Sequence, residues 1–169
     1  MSQTPKLFKY KKKIDDRGSF KKLLSEKYLL RILKNKKIKE INYSINKHKG
    51  TIRGLHYQTG NYKEHKIIYC LKGKIFDVSF NVDKFLKNKK KIYNFILDEK
   101  DSKFISIPEN YAHGFQTLKN DTILLYLHTK KFNKKFERKI NPLINKLNIK
   151  WPQKVSKISK SDKKSKNYA

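Results

Sequence analysis

The chain has 169 residues, enough for one domain with a real core, and 37% of them are hydrophobic, including ten Phe and ten Tyr. That share of large apolar side chains speaks against global disorder; a single cysteine excludes an intrachain disulfide framework and a cysteine-built zinc site; and no apolar run approaches the roughly 20 residues of a membrane helix. The formal charge of +29 attracts anions, but only four of the 43 basic residues are Arg (Arg17, Arg31, Arg53, Arg138), and the lysine clusters run along the whole chain, as on a solvated surface rather than in a base-reading groove.

In chain order, residues 1–13 are polar and basic without an apolar h-region, so no signal peptide is expected and the expected location is the cytoplasm. Residues 20–38 carry Leu and Ile at mixed spacing and accommodate a short helix. From residue 39 the pattern turns to strands: Glu40–Ser44, Lys66–Leu71, Lys74–Val82, Lys91–Leu97, Phe104–Ile107, Gly114–Leu118 and Thr122–His128 are short and rich in Ile, Phe, Tyr and Val. Within Lys74–Val82, Phe76, Val78, Phe80 and Val82 alternate with Ile75, Asp77, Ser79 and Asn81, the period of a half-buried strand. Gly73 before it suits a hairpin-like turn with a positive φ, and residues 118–121 punctuate the last two strands. Many short antiparallel strands at this spacing predict an all-β sandwich or jelly roll. No repeat is present and the four prolines lie in connections or near the N-terminus, which makes residues 1–169 a single domain with its core at about 14–152. Residues 153–169, rich in Lys and Ser with little to bury, read by composition as a disordered tail.

Chemistry begins with five histidines: His48, His56, His65, His113 and His128. A metal-binding jelly roll offers a His-x-His pair with a nearby carboxylate, but Tyr57 and Gln58 follow His56, and Lys63 and Lys66 flank His65, so no metal site is expected. In Arg53-Gly54-Leu55-His56-Tyr57-Gln58 a guanidinium precedes an imidazole closely enough for one to hold an anion while the other moves protons. In the run Ile107–Phe115, Pro108 and Gly114 place His113 at the start of a strand. Taken singly, each has a plain alternative as a surface or structural histidine. Tyr126 in ILLYLH reads by default as a buried aromatic with a bonded hydroxyl, and Cys70 in IIYCL as a buried small hydrophobe.

Taken together the pieces stop being anonymous. Asp16-Arg17-Gly18-x-Phe20, Asn42-x-Ser44, Arg53-Gly-Leu-His56-Tyr-Gln58, Lys66, Gly73-x-x-Phe76-Asp77-Val78, Ile107-Pro-x-x-x-Ala112-His113-Gly114-Phe115, Leu125-Tyr126 and Trp151-Pro152 occur in that order. This array resembles the dTDP-4-dehydrorhamnose 3,5-epimerase family of cupins over residues 14–163, and the pairing of the His56 and His113 motifs is its specific part. The resemblance implies a cupin jelly-roll homodimer that needs no metal or organic cofactor, with no nucleic-acid or membrane partner. It implies a nucleotide-linked 4-keto-6-deoxyhexose as substrate, inverted at C3, C5 or both. His56 falls at the family's base, Tyr126 at its acid, and Asp162, in Ile158-Ser-Lys-Ser-Asp162, at the carboxylate that orients the base. Lys66 and His113 match sugar contacts, and Arg53 and Arg17 match diphosphate ligands, Arg17 reaching in from the neighbouring subunit; Asn42, Glu137, Phe20 and Gln58 complete the implied substrate-binding set. Phe132 stands where the family stacks a tyrosine on thymine, and Lys22 where it often has glutamate.

Removing a proton α to a ketone leaves an enolate, so an epimerase needs a base on one face of the sugar, a donor at the oxygen and an acid on the other face. The sequence leaves open an enzyme acting at C3 or C5 only, a 3,4-ketoisomerase on another nucleotide-linked 4-ketosugar and, from a different class, a basic nucleic-acid-binding module with salt-dependent affinity. Such a module has no use for His56, Lys66, His113 and Tyr126 together.

Overall fold

Side chains alternate across a strand, so a run that is apolar at every second position must cover one face and a run apolar throughout must be covered on both. The computed structural model describes residues 4–89 and 91–165 and resolves this patterning into two facing sheets. The first holds, in spatial order, β1 (Lys6–Lys9), β9 (Lys103–Ile107), β6 (Lys66–Lys72), β11 (Thr122–His128) and β4 (Glu40–Asn46). The second holds β12 (Glu137–Lys139), β5 (Thr51–Gln58), β10 (Tyr111–Thr117), β7 (Lys74–Asn81) and β8 (Ile92–Asp98), with β13 (Lys157–Ile158) added in parallel to β5. β2 (Lys11–Asp15) and β3 (Gly18–Lys22) form a separate hairpin, and α1 (Glu26–Leu33), α2 (Val82–Leu86) and α3 (Lys160–Lys163) are short. The architecture is the expected all-β jelly-roll sandwich. Among the described residues no helix is long and apolar enough to cross a membrane.

Three apolar clusters hold the layers. Between the sheets, Ile68, Cys70 and Leu124 meet Ile75, Leu97 and Phe115. Outside the first sheet, Ile67, Tyr69, Phe104 and Leu127 are covered by Ile32 and Leu33 of α1 and by Tyr10. Outside the second, Leu55, Phe80 and Ala112 are covered by Phe85 of α2 and by Ile140 and Leu147. This double cover corrects the reading of β7 as half-buried: Ile75, Asp77, Val78, Ser79 and Phe80 are all fully buried.

Other local expectations change for physical reasons. Gly73 has the expected positive φ (84°), yet it carries the chain from β6 in one sheet to β7 in the other and closes no hairpin. A Cβ there would collide with Thr122. Strands begin at Lys6, well before residue 39, and Thr51–Gln58 is a strand despite Gly54. There β5 and β10 approach so closely that a Cβ on Gly54 would lie 2.5 Å from Gly114 Cα. The same pairing sets His113 directly opposite His56. Residues 153–165 are not a disordered tail: Gln153 exchanges hydrogen bonds with Gln116, Ser156 N donates to Gly50 O, β13 pairs with β5, and α3 buries Asp162. Residues 166–169, the rest of that tail, lie outside the described residues.

Candidate active site

A cavity of about 670 Å³ opens between the inner faces of the two sheets. On the six-stranded wall, β5 projects His56 into it, and His56 Nε2 lies 2.7 Å from Asp162 Oδ1. Asp162 is delivered by the C-terminal segment: β13 docks on β5, and the Ser159 hydroxyl caps α3 by accepting the Asp162 amide at 2.9 Å. Asp162 Oδ2 accepts the Gly54 amide at 3.4 Å, and Lys139, opposite His56 on β12, brings its Nζ within 3.7 Å of Oδ1. Burial alone would raise the Asp162 carboxyl, but the hydrogen bond and charge of His56, the Gly54 amide and Lys139 together hold it below its ordinary value. The carboxylate is therefore ionised and fixes the imidazole through Nε2, leaving Nδ1 for a substrate. On β10 beside it, His113 Nε2 lies 2.6 Å from Asp77 Oδ2, a second imidazole–carboxylate pair in which both residues are buried.

The five-stranded wall carries different groups. Tyr126 on β11 shares a hydrogen bond of 3.0 Å with Ser44 Oγ on β4. Burial raises the phenol well above its ordinary value, against the opposing effects of Ser44 and Arg53, so the hydroxyl is neutral at physiological pH. Ser44 Oγ also accepts from Asn46 Nδ2 (3.2 Å), and Asn46 Oδ1 accepts from Arg53 Nε (2.7 Å), so a chain of side chains runs from the phenol to the guanidinium. Lys66 Nζ stands at the cavity wall 3.2 Å from Glu64 Oε1, and His128 Nδ1 lies 2.7 Å from Glu64 Oε2. The His128 ring stacks alongside Tyr126 at 6.1 Å between centroids.

An oriented imidazole thus faces a neutral phenol across one space, with an ammonium at its side. A carbon acid held between them can lose a proton to one wall and regain one from the other while its oxygen rests against a cation.

The family model described as dTDP-4-dehydrorhamnose 3,5-epimerase matches residues 3–169. The chain belongs to this family. A relative of that description from Shigella flexneri is 30% identical over 149 residues, 88% of this chain and 82% of its own length. The crystal structure of the Bacillus anthracis enzyme with TDP and PPi bound superposes with a TM-score of 0.89 at 28% identity, covering 96% of this chain and 93% of that one. The Legionella pneumophila enzyme in complex with dTDP-4-keto-L-rhamnose gives 0.86 at 27% identity, over 95% of this chain and 86% of that one. The class of activity in the family is that of an isomerase acting as a sugar epimerase.

Within this family member, His56, Asp162, Tyr126, Arg53, Asn42, Lys66 and His113 all line the one cavity. Gln58, Phe132, Glu137, Arg17 and Phe20 do not. Gln58 is buried and braces a loop, its amide donating to Tyr62 O and Lys131 O and its carbonyl accepting from Asn133 N. Phe132, in that loop, is exposed, and Glu137 pairs across the strands with Gln58, 3.7 Å from Lys139. Arg17 and Phe20 ride on the exposed β2–β3 hairpin, where Arg17 pairs with Asp15 at 2.8 Å. Sequence reasoning did not single out Glu64, His128, Asp77 or Lys139 as site residues. Asp77 alone carried a signal, a carboxylate between Phe76 and Val78 in the middle of a strand.

Proposed function

We propose that the chain inverts C3, C5 or both of a dTDP-linked 4-keto-6-deoxyhexose, working in the cytoplasm as a homodimer. The observation that carries this reading is the placing of His56 with Asp162 and of Tyr126 on opposite walls of one cavity. His56 Nδ1 takes the proton α to the ketone; Asp162 stabilises the imidazolium that forms, the part played by the third member of a catalytic triad. Charge moves to the ketone oxygen, where Lys66 donates, joined by His113 when its ring carries a proton on both nitrogens. Tyr126 returns a proton to the other face and is reprotonated from solvent. Each role is filled by a side chain. Arg53 holds the diphosphate, which supplies binding energy remote from the reacting carbon.

The homodimer is supported by what lies outside the cavity. The edge strand β4 turns Ile41, Tyr43 and Ile45 outward at 64%, 69% and 52% exposure, an apolar face that a second copy would cover. The β2–β3 hairpin presents Arg17 and Phe20 to solvent, in a position to complete a neighbour's site rather than its own.

The test is a proton NMR time course in D₂O with dTDP-4-keto-6-deoxyglucose. Wild-type protein should replace the C3 proton, the C5 proton or both with deuterium and invert the labelled carbon. His56→Ala should remain folded and lose that exchange by about 10²- to 10⁴-fold. Exchange at the wild-type rate in the variant, or none in the wild type, would end the reading.

A further inference from the structure

Glu64 takes no part in the proton transfers above, yet it is a buried carboxylate bonded to two residues of the cavity wall. Its side chain is 8% exposed, and its two oxygens are divided between two cavity residues, Oε1 to Lys66 and Oε2 to His128. The backbone prepares this arrangement. Lys66 on β6 and His128 on β11 are direct cross-strand partners, so their side chains stand together on the inner face, and Glu64 bridges them from just before β6. Among the described residues, Glu64 is the carboxylate within ion-pair distance of Lys66.

An ammonium removed from water sheds its proton readily unless a counter-ion lies beside it. Lys66 is nearly as buried as Glu64, and a donor to a developing oxyanion is useful only while it is charged. Burial alone would raise the Glu64 carboxyl, but Lys66 and the hydrogen bond from His128 hold it below its ordinary value, which keeps the counter-ion in place. Occupation of Oε2 by His128 Nδ1 leaves Glu64 one orientation in which Oε1 points at Lys66.

Resting on the proposed function, we infer that Glu64 and His128 are a positioning pair that keeps Lys66 charged and aimed at the substrate's ketone oxygen. Lys66 touches the substrate; Glu64 acts only through Lys66, and His128 acts on Glu64. The other titratable or charged groups facing this space are Tyr126 on β11, Arg53 and His56 on β5 with Asp162 from α3, His113 on β10 with Asp77 on β7, Lys139 on β12 and Lys157 on β13. None of them is paired with Lys66 among the described residues.

The experiment follows the Lys66 side chain by ¹³C NMR in ligand-free protein, with its signal assigned by loss in Lys66→Arg. In Glu64→Gln, which preserves shape, its titration midpoint should fall by roughly one pH unit or more relative to wild type; Glu64→Asp, which retains the charge, should restore most of the difference. In turnover of dTDP-4-keto-6-deoxyglucose, the alkaline limb of the Glu64→Gln kcat profile should move to lower pH by the same interval as the Lys66 midpoint, with little change in KM. Identical Lys66 titration in Glu64→Gln and wild type, or an activity loss of equal size at every pH, would overturn the inference. A wild-type protein inert toward every nucleotide-linked 4-ketosugar would remove the functional reading instead, and the ligand-free titration would still decide whether Glu64 holds the charge on Lys66.

Discussion

On the six-stranded wall each imidazole bonds a carboxylate of its own, His56 with Asp162 at 2.7 Å (Lys139 standing farther off, at 3.7 Å) and His113 with Asp77 at 2.6 Å, whereas on the five-stranded wall one carboxylate, Glu64, divides its two oxygens between an ammonium at 3.2 Å and an imidazole at 2.7 Å. The two walls therefore hold protons differently. An imidazole–carboxylate pair can take up one proton and become a neutral ion pair, which suits a base that must accept and then release. A carboxylate already matched by Lys66, beside a phenol whose burial keeps it neutral, suits the donor side of a reaction. The chemistry follows from which wall a residue projects from, and that is decided by strand parity: His56 and Tyr126 each stand on the inner face of their sheet.

The largest effect should come from separating the carboxylate from the base. Asp162→Asn preserves shape but offers an amide in place of a charge, so His56 loses both its orientation and its stabilised imidazolium. Deuterium exchange at the sugar should fall by about 10³-fold with thermal stability nearly kept. An exchange rate within a factor of about three of wild type would mean that Asp162 and His56 merely pack together.

A fourth imidazole sharpens the comparison because, among the described residues, it bonds no carboxylate. His65 is buried outside the cavity; its Nε2 lies 2.6 Å from Ser106 Oγ, and its Nδ1 has no partner among the described residues. Burial, with Lys36 adding to it, pushes the imidazole down to about 4 from 6.5, Glu109 opposing weakly. The unfolded chain thus takes up this proton at higher pH than the folded one, and stability must fall as pH drops from about 6.5 to about 4. At roughly 1.4 kcal/mol per pH unit the loss is about 3 kcal/mol. The lowered carboxyls of Asp162 and Glu64 act in the same direction but at lower pH, their stabilisation being present above about pH 4 and lost below it. Denaturant melts at pH 7 and pH 4.5 should show His65→Asn losing about 2–3 kcal/mol less than wild type across that interval; equal losses would mean that the ring is solvated.

How far the sequence revealed all this differs between the walls and the rim. The alternation in residues 74–82 and the short β-rich runs made the sandwich legible, because strand parity is a local property. The motif around His56 and the one around His113 were legible because each is local in sequence, the first within β5 and the second spanning the turn from β9 into β10. Asp162 was visible only through the resemblance: its composition argued for disorder, and what orders residues 153–165 is the exposed edge offered by β5, a long-range fact. Glu64 was hidden because its partner His128 lies 64 residues away. Gln58 is the opposite case, a motif residue whose hydrogen bonds go to the backbone of residues 62, 131 and 133.

The subtlest expected difference lies in Tyr126→Phe. Removing the hydroxyl leaves His56 and Asp162 free to abstract the proton, and the enolate can collapse back on the same face with solvent deuterium carried by His56. Inversion requires a proton from the other wall, and the only change there is the loss of a phenol held by Ser44 at 3.0 Å. Epimerised product should therefore form roughly 10²-fold more slowly, while loss of the C–H signal in D₂O stays near the wild-type rate. If both rates drop together, the phenol assists abstraction as well as re-donation, and the division of labour between the walls does not hold. If neither drops, another donor on the five-stranded wall delivers the proton, and His128, which stacks beside Tyr126, is the residue to change next.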